Sequence, residues 1–127
     1  VYWLFYNDLK QTLCTVSNNN PTYITYPIPK FPINIPKTLT KNLLFDKNIS
    51  VVLTYDSYLK RTLKVRDVIK NSAKECNVET LDPAQVLCPA NECISTYQDR
   101  PIYRDGDHLS EYGNKLLTPM FKEALNP

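Results

Sequence analysis

The chain has 127 residues, 43% of them apolar and 22% charged, which suits one globular domain or part of one and excludes a disordered chain. Its 15 Lys+Arg against 13 Asp+Glu leave a net charge of +2 with no basic block, so composition gives no footprint for nucleic acid as a partner. The only glycines, Gly106 and Gly113, cannot write a P-loop or a dinucleotide fingerprint, and no run of about 20 apolar residues is present to span a membrane.

The first residues, Val1-Tyr2-Trp3-Leu4-Phe5-Tyr6, lack the basic flank and cleavage site of a signal peptide and read as an element entered midway. The chain is therefore expected to begin inside a larger protein. Phe5, Leu9, Leu13 and Val16 recur at helical spacing. Asn18-Asn19-Asn20-Pro21 ends that helix, because the residue before proline disfavours the helical region. Thr22 to Tyr26 is β-branched and aromatic, a short strand. Helix, Asn-rich turn and strand in this order are an α/β signature.

Four prolines between Pro27 and Pro36 forbid continued ladder pairing, so this stretch reads as a long loop after the strand. It is either a packed surface loop or one wall of a cleft, since open α/β sheets bind ligands outside the carboxyl ends of their strands. A longer helix follows from about Thr54 to Cys76. Leu59, Leu63, Ile69, Ala73 and Cys76 mark its apolar face, and Lys60, Arg61, Lys64, Arg66, Asp67 and Lys70 read as a solvated face. Residues 77–83 read as a second strand, stopped by Pro83. After a cysteine loop comes a short extended run, Pro101-Ile102-Tyr103. The last helix runs from Ser110, a good N-cap, towards Leu125, with Pro119 kinking or shortening it.

Cys88 and Cys93 bracket a short Pro/Asn-containing loop and read as a disulfide. Their four-residue gap also fits half a zinc site, but Cys14, Cys76 and His108 are scattered and offer no close second pair. A disulfide implies an extracytoplasmic setting. Cys14 and Cys76 are a second candidate pair; sequence does not give connectivity.

The segment Tyr103-Arg104-Asp105-Gly106-Asp107-His108-Leu109-Ser110 carries the only histidine. In a tight turn the Asp105 carboxylate can fold back onto His108 Nδ1, fix the tautomer and leave Nε2 free as a base towards a serine hydroxyl. Gly106 between them permits a backbone shape that a Cβ would resist. The plain alternative is a surface histidine in a polar turn, with Asp105 and Asp107 as turn residues.

Residues 105–113, Asp-Gly-Asp-His-Leu-Ser-Glu-Tyr-Gly, resemble the last block of the SGNH hydrolases. Taken with Tyr26-Pro27-Ile28-Pro29, Leu81-Asp82-Pro83, Cys88 with Cys93, and Ile102-Tyr103, the chain resembles the SGNH domain fused behind membrane acyltransferases of type 3, which O-acylate bacterial surface polysaccharides. The resemblance covers roughly residues 10–125. It implies a three-layer α/β/α sandwich with a parallel sheet, flavodoxin-like. It implies a Ser-His-Asp mechanism in which Asp105 and His108 match the triad aspartate and base, while Asp107 shapes the turn. No metal or organic cofactor is implied. The implied partners are an acyl donor, a glycan acceptor and a membrane-embedded acyltransferase domain of the same polypeptide, with this domain in the periplasm.

The chain departs from that pattern in one respect. It contains no Gly-Asp-Ser block, and Ser17, Ser50, Ser57, Ser72, Ser95 and Ser110 have no such context. Residues 1–127 are therefore expected to be the C-terminal portion of one SGNH domain, with the nucleophile upstream and no activity in this portion alone. The alternatives are a free-standing SGNH esterase, in which water replaces the sugar, and a non-catalytic carbohydrate-binding module.

Overall fold

Helices and short strands alternate along residues 1–126, which the computed structural model describes. They are α1 (Tyr2–Ser17), β1 (Tyr23–Thr25), α2 (Ile35–Phe45), β2 (Leu53–Thr54), α3 (Tyr55–Glu75), β3 (Glu79–Leu81), α4 (Ala84–Leu87), β4 (Glu92–Cys93), β5 (Thr96–Tyr97), β6 (Arg100–Pro101), α5 (Glu111–Leu116) and α6 (Thr118–Leu125). The α/β class read from the sequence holds. The chain divides into two compact units: Val1–Pro27 with Leu59–Pro83, and Ile28–Tyr58 with the residues from Ala84 onward.

In the first unit β1 and β3 pair in parallel, with Ile24 opposite Thr80. Bonds from Glu79 N to Thr22 O (3.2 Å) and from Tyr26 N to Leu81 O (2.9 Å) extend the ladder at both ends. The strands stay short because Pro21, Pro27 and Pro83 bound them and lack the N–H a ladder needs. Leu13, Ala73, Cys76 and Val78 form the buried cluster here, with Leu9, Cys14 and Ile24 packed against it. A Cys14–Cys76 disulfide ties α1 to the residue that follows α3. That is the second pairing, which spacing alone leaves open. α3 ends with Asn77 in the left-handed region (φ 54°), and bonds from Asn77 N to Lys74 O and Val78 N to Ala73 O close a Schellman motif.

The α3 basic face is mostly exposed, as expected, with one exception. Arg66 is largely buried, forks onto both Asp82 carboxylate oxygens (3.3 and 2.5 Å) and lies 4.1 Å above the Tyr26 ring centre. Its planar guanidinium suits both contacts at once.

The second unit corrects the reading of residues 27–36 as one loop. The segment is irregular only to Asn34, where α2 begins. Asn34 caps it by accepting from Lys37 N (3.0 Å), and Pro36 sits in the first turn, where a missing N–H costs nothing. Four further elements, β2, α4, β4 and the β5–β6 hairpin, are too short to carry a hydrophobic period. β2 pairs with β4 in antiparallel fashion, Leu53 opposite Cys93. The β5–β6 hairpin turns on Gln98 and Asp99, both at positive φ (48° and 60°), as a two-residue type I′ turn requires. The Cys88–Cys93 disulfide is present as expected, and Ile94 N bonds Leu87 O across the loop it closes. Phe31, Ile35, Tyr58, Leu87, Ile102 and Tyr103 are the large, fully buried side chains of this unit. The last helix breaks at Leu117 into α5 and α6, with Pro119 in the first turn of α6.

No helix among the described residues is long and apolar enough to cross a membrane.

Candidate active site

The turn at residues 103–109 is built on its own backbone. Tyr103 and Leu109 form an antiparallel bridge, and Arg104 N donates to His108 O (3.0 Å). Inside that loop the Asp105 side chain folds back. Its Oδ1 accepts from the backbone N–H of Asp107 (2.9 Å) and of His108 (2.7 Å). Its Oδ2 lies 2.8 Å from His108 Nδ1.

These contacts hold the Asp105 carboxyl well below the usual carboxylate range. The Asp107 N–H contributes most and the His108 N–H next, against a smaller opposing effect of desolvation. An ionised carboxylate only accepts. His108 Nδ1 must therefore carry a hydrogen, and in the neutral ring that tautomer leaves the lone pair on Nε2. The imidazole is half open to solvent, with 58% of its side chain exposed, so Nε2 chemistry is not walled off by this unit.

Three hydrogen bonds and a ring contact hold the turn from behind. Phe31 N donates to Gly106 O (2.8 Å) and Ile35 N to Asp105 O (3.1 Å). The Tyr103 hydroxyl donates to Pro29 O (2.7 Å), and the Tyr103 ring meets the Phe31 ring edge-on at 5.1 Å. Burial, and secondarily the nearby Tyr58, push the Tyr103 hydroxyl pKa up, so it stays a neutral donor at any ordinary pH. The Pro-rich segment is packed rather than free. What it packs against is the aspartate–histidine turn.

This packing also corrects the role of Gly106. Neither glycine has positive φ; the left-handed positions go to Asp46, Asn77, Asn91, Gln98 and Asp99. Gly106 is required by close approach instead. A Cβ there would sit 2.5 Å from Ile33 O and 2.8 Å from Phe31 O.

α5 starts immediately after the turn. Ser110 Oγ caps it by accepting from Gly113 N (3.1 Å), and Ser110 N bonds Ile102 O (2.9 Å). Ser110 is thus used as a cap, as its position before the helix suggests. Asp107 approaches the same nitrogen of the imidazole: its Oδ1 is 3.1 Å from Nδ1, and its Oδ2 is 2.9 Å from Lys30 Nζ. Sequence reasoning missed Lys30, which is 77 positions upstream of Asp107; its place inside the Pro-rich segment was the only signal. The ligand atoms of Asp105, Asp107 and His108 lie within 4.8 Å of one another, the spacing of a metal site. These donors are engaged with each other and with Lys30.

The model of the SGNH domain (fused to AT3 domains) matches residues 3–123. The chain belongs to this SGNH family. The match spans both units and takes in the whole of the aspartate–histidine turn. An SGNH domain of this kind is associated with acyltransferases, and fusion to AT3 domains places it in a polypeptide with a membrane acyltransferase domain. No curated protein and no solved structure matches the chain.

Proposed function

We propose that this chain is the C-terminal portion of the periplasmic SGNH domain of an O-acyltransferase, which moves an acyl group, such as acetyl, onto hydroxyls of a bacterial surface polysaccharide. The observation that carries the proposal is the Asp105–His108 contact at 2.8 Å, made by a carboxylate whose other oxygen is held by two backbone N–H groups. A surface histidine in a polar turn has no need of such an arrangement. A general base does, because the tautomer and the ring direction must be set before the proton moves.

In the complete protein a serine outside residues 1–127 attacks the carbonyl of the acyl donor, and His108 Nε2 takes the hydroxyl proton. Asp105 stabilises the imidazolium that forms. The imidazolium returns the proton to the leaving group, and an acyl-serine remains. A sugar hydroxyl then attacks that ester while His108 takes its proton and passes it to the departing serine oxygen. In this reading the β1–β3 pair is part of a larger parallel sheet within a three-layer α/β/α sandwich, completed by the rest of the domain. No metal or organic cofactor takes part.

The test is acyl transfer to glycan by the complete polypeptide. His108→Ala is expected to lower turnover by several orders of magnitude. Asp105→Asn is expected to cost about 10³–10⁴-fold through the wrong tautomer, and Asp107→Asn much less. Unchanged turnover in Asp105→Asn would overturn the assignment of that residue.

A further inference from the structure

Two carboxylates face the His108 ring, and a single base needs one. Asp105 Oδ2 is 2.8 Å and Asp107 Oδ1 is 3.1 Å from the same nitrogen, Nδ1. Nδ1 carries one hydrogen. Asp105 takes it, because its other oxygen is already fixed by two backbone N–H groups. The Asp107 carboxylate then adds negative charge beside the ring. Left alone, that charge favours the imidazolium and removes the Nε2 lone pair from use near neutral pH.

Lys30 answers it. Its Nζ stands 2.9 Å from Asp107 Oδ2, the oxygen that does not face the ring. The lysine is carried between Pro29 and Phe31, both fully buried, and Phe31 N is bonded to Gly106 O within the turn itself. The Lys30 backbone is therefore fixed relative to the imidazole although its side chain reaches into solvent. The charged groups at the ring are Asp105 and Asp107 from its own turn and, across Asp107, Lys30 from the packed segment. Arg104 meets His108 through its backbone N–H, and Glu111 at the start of α5 pairs with Lys115 (3.1 Å).

We propose that Lys30 and Asp107 form a positioning pair that keeps His108 a neutral base. Lys30 offsets the charge of the second carboxylate through its far oxygen, while Asp105 makes the shorter contact to Nδ1. The proposal rests on the reading of His108 as the base of acyl transfer.

Two measurements separate the pair from that reading. His108 is the only histidine of the chain, so its ring protons give one resolved NMR titration. Lys30→Met keeps most of the stem and removes the charge. It is expected to raise the His108 pKa by about 0.5 pH unit, the scale of a partly exposed ion pair. Asp107→Asn should lower it by a similar amount, the double variant should return within about 0.2 unit of the parent, and Lys30→Arg should not move it. An unmoved titration in Lys30→Met, or a double variant that titrates like Lys30→Met, overturns the pair. In the complete polypeptide the acid limb of kcat/KM should move upward in pH with Lys30→Met, since it reports the base in the free enzyme. A titration that shifts while the acid limb stays in place supports the pair and overturns His108 as the base.

Discussion

Gly113→Ala sets two physical rules against each other. Gly113 lies within α5 and does not have positive φ, so helix propensity alone predicts that alanine stabilises by about 1 kcal/mol. The local packing predicts the reverse. A Cβ at 113 would stand 2.0 Å from Ile102 O and 2.9 Å from its carbonyl carbon. Non-bonded heavy atoms sit at roughly 3.5 Å, so something must move by more than about 1 Å. Ile102 cannot easily give way, since it is fully buried beside the equally buried Tyr103. The helix start must move instead. That breaks the bond from Ser110 N to Ile102 O and strains the Ser110 cap on Gly113 N. Each is worth about 1 kcal/mol, and overpacking adds about 1–3 kcal/mol. Set against the propensity gain, the net loss is about 2–4 kcal/mol. For a chain of 127 residues, 1 kcal/mol corresponds to about 4 °C, so the Tm should fall by about 8–16 °C. Thermal unfolding followed by far-UV circular dichroism, confirmed by urea titration, reads the change. A Tm equal to the parent's or above it would refute the steric argument and show that propensity governs this position.

Two further predictions concern stability. The folded-state pKa of Asp105 lies below its unfolded value, so the carboxylate contributes stability that is fully present above the ordinary carboxylate range and is lost as the pH falls through the folded pKa. Asp105→Asn should therefore be less stable than the parent at pH 7, with a gap that narrows below about pH 4; a gap that stays constant with pH would contradict the assignment. The two disulfides close loops of very different size, with sequence separations of 62 for Cys14–Cys76 and 5 for Cys88–Cys93. Replacing the first pair by alanine should cost about 4 kcal/mol and the second about 2 kcal/mol, measured by urea unfolding of each double variant. The reverse order would show that loop entropy does not dominate.

The sequence specifies the elements that carry a strong local period or a strong stop. α1, α3 and β1 were legible from their apolar spacing and the prolines beside them, and the break before α6 from Pro119. It also determined the aspartate–histidine turn, because Asp105 to His108 is a local contact that a three-residue spacing can reach unaided. α2 was hidden because Pro36, counted as a breaker, stands in the first helical turn, where proline is favourable. Only the tertiary structure joined residues distant in the chain: Cys14 to Cys76, Arg66 to Asp82 and Tyr26, and Lys30 to Asp107. It also decided what the two glycines are for. A local reading assigns glycine to an unusual backbone angle, whereas here Asn, Asp and Gln take those angles. Gly106 and Gly113 are needed because a carbonyl from elsewhere in the chain occupies the space of a Cβ, and that occupancy exists only once the segments have packed.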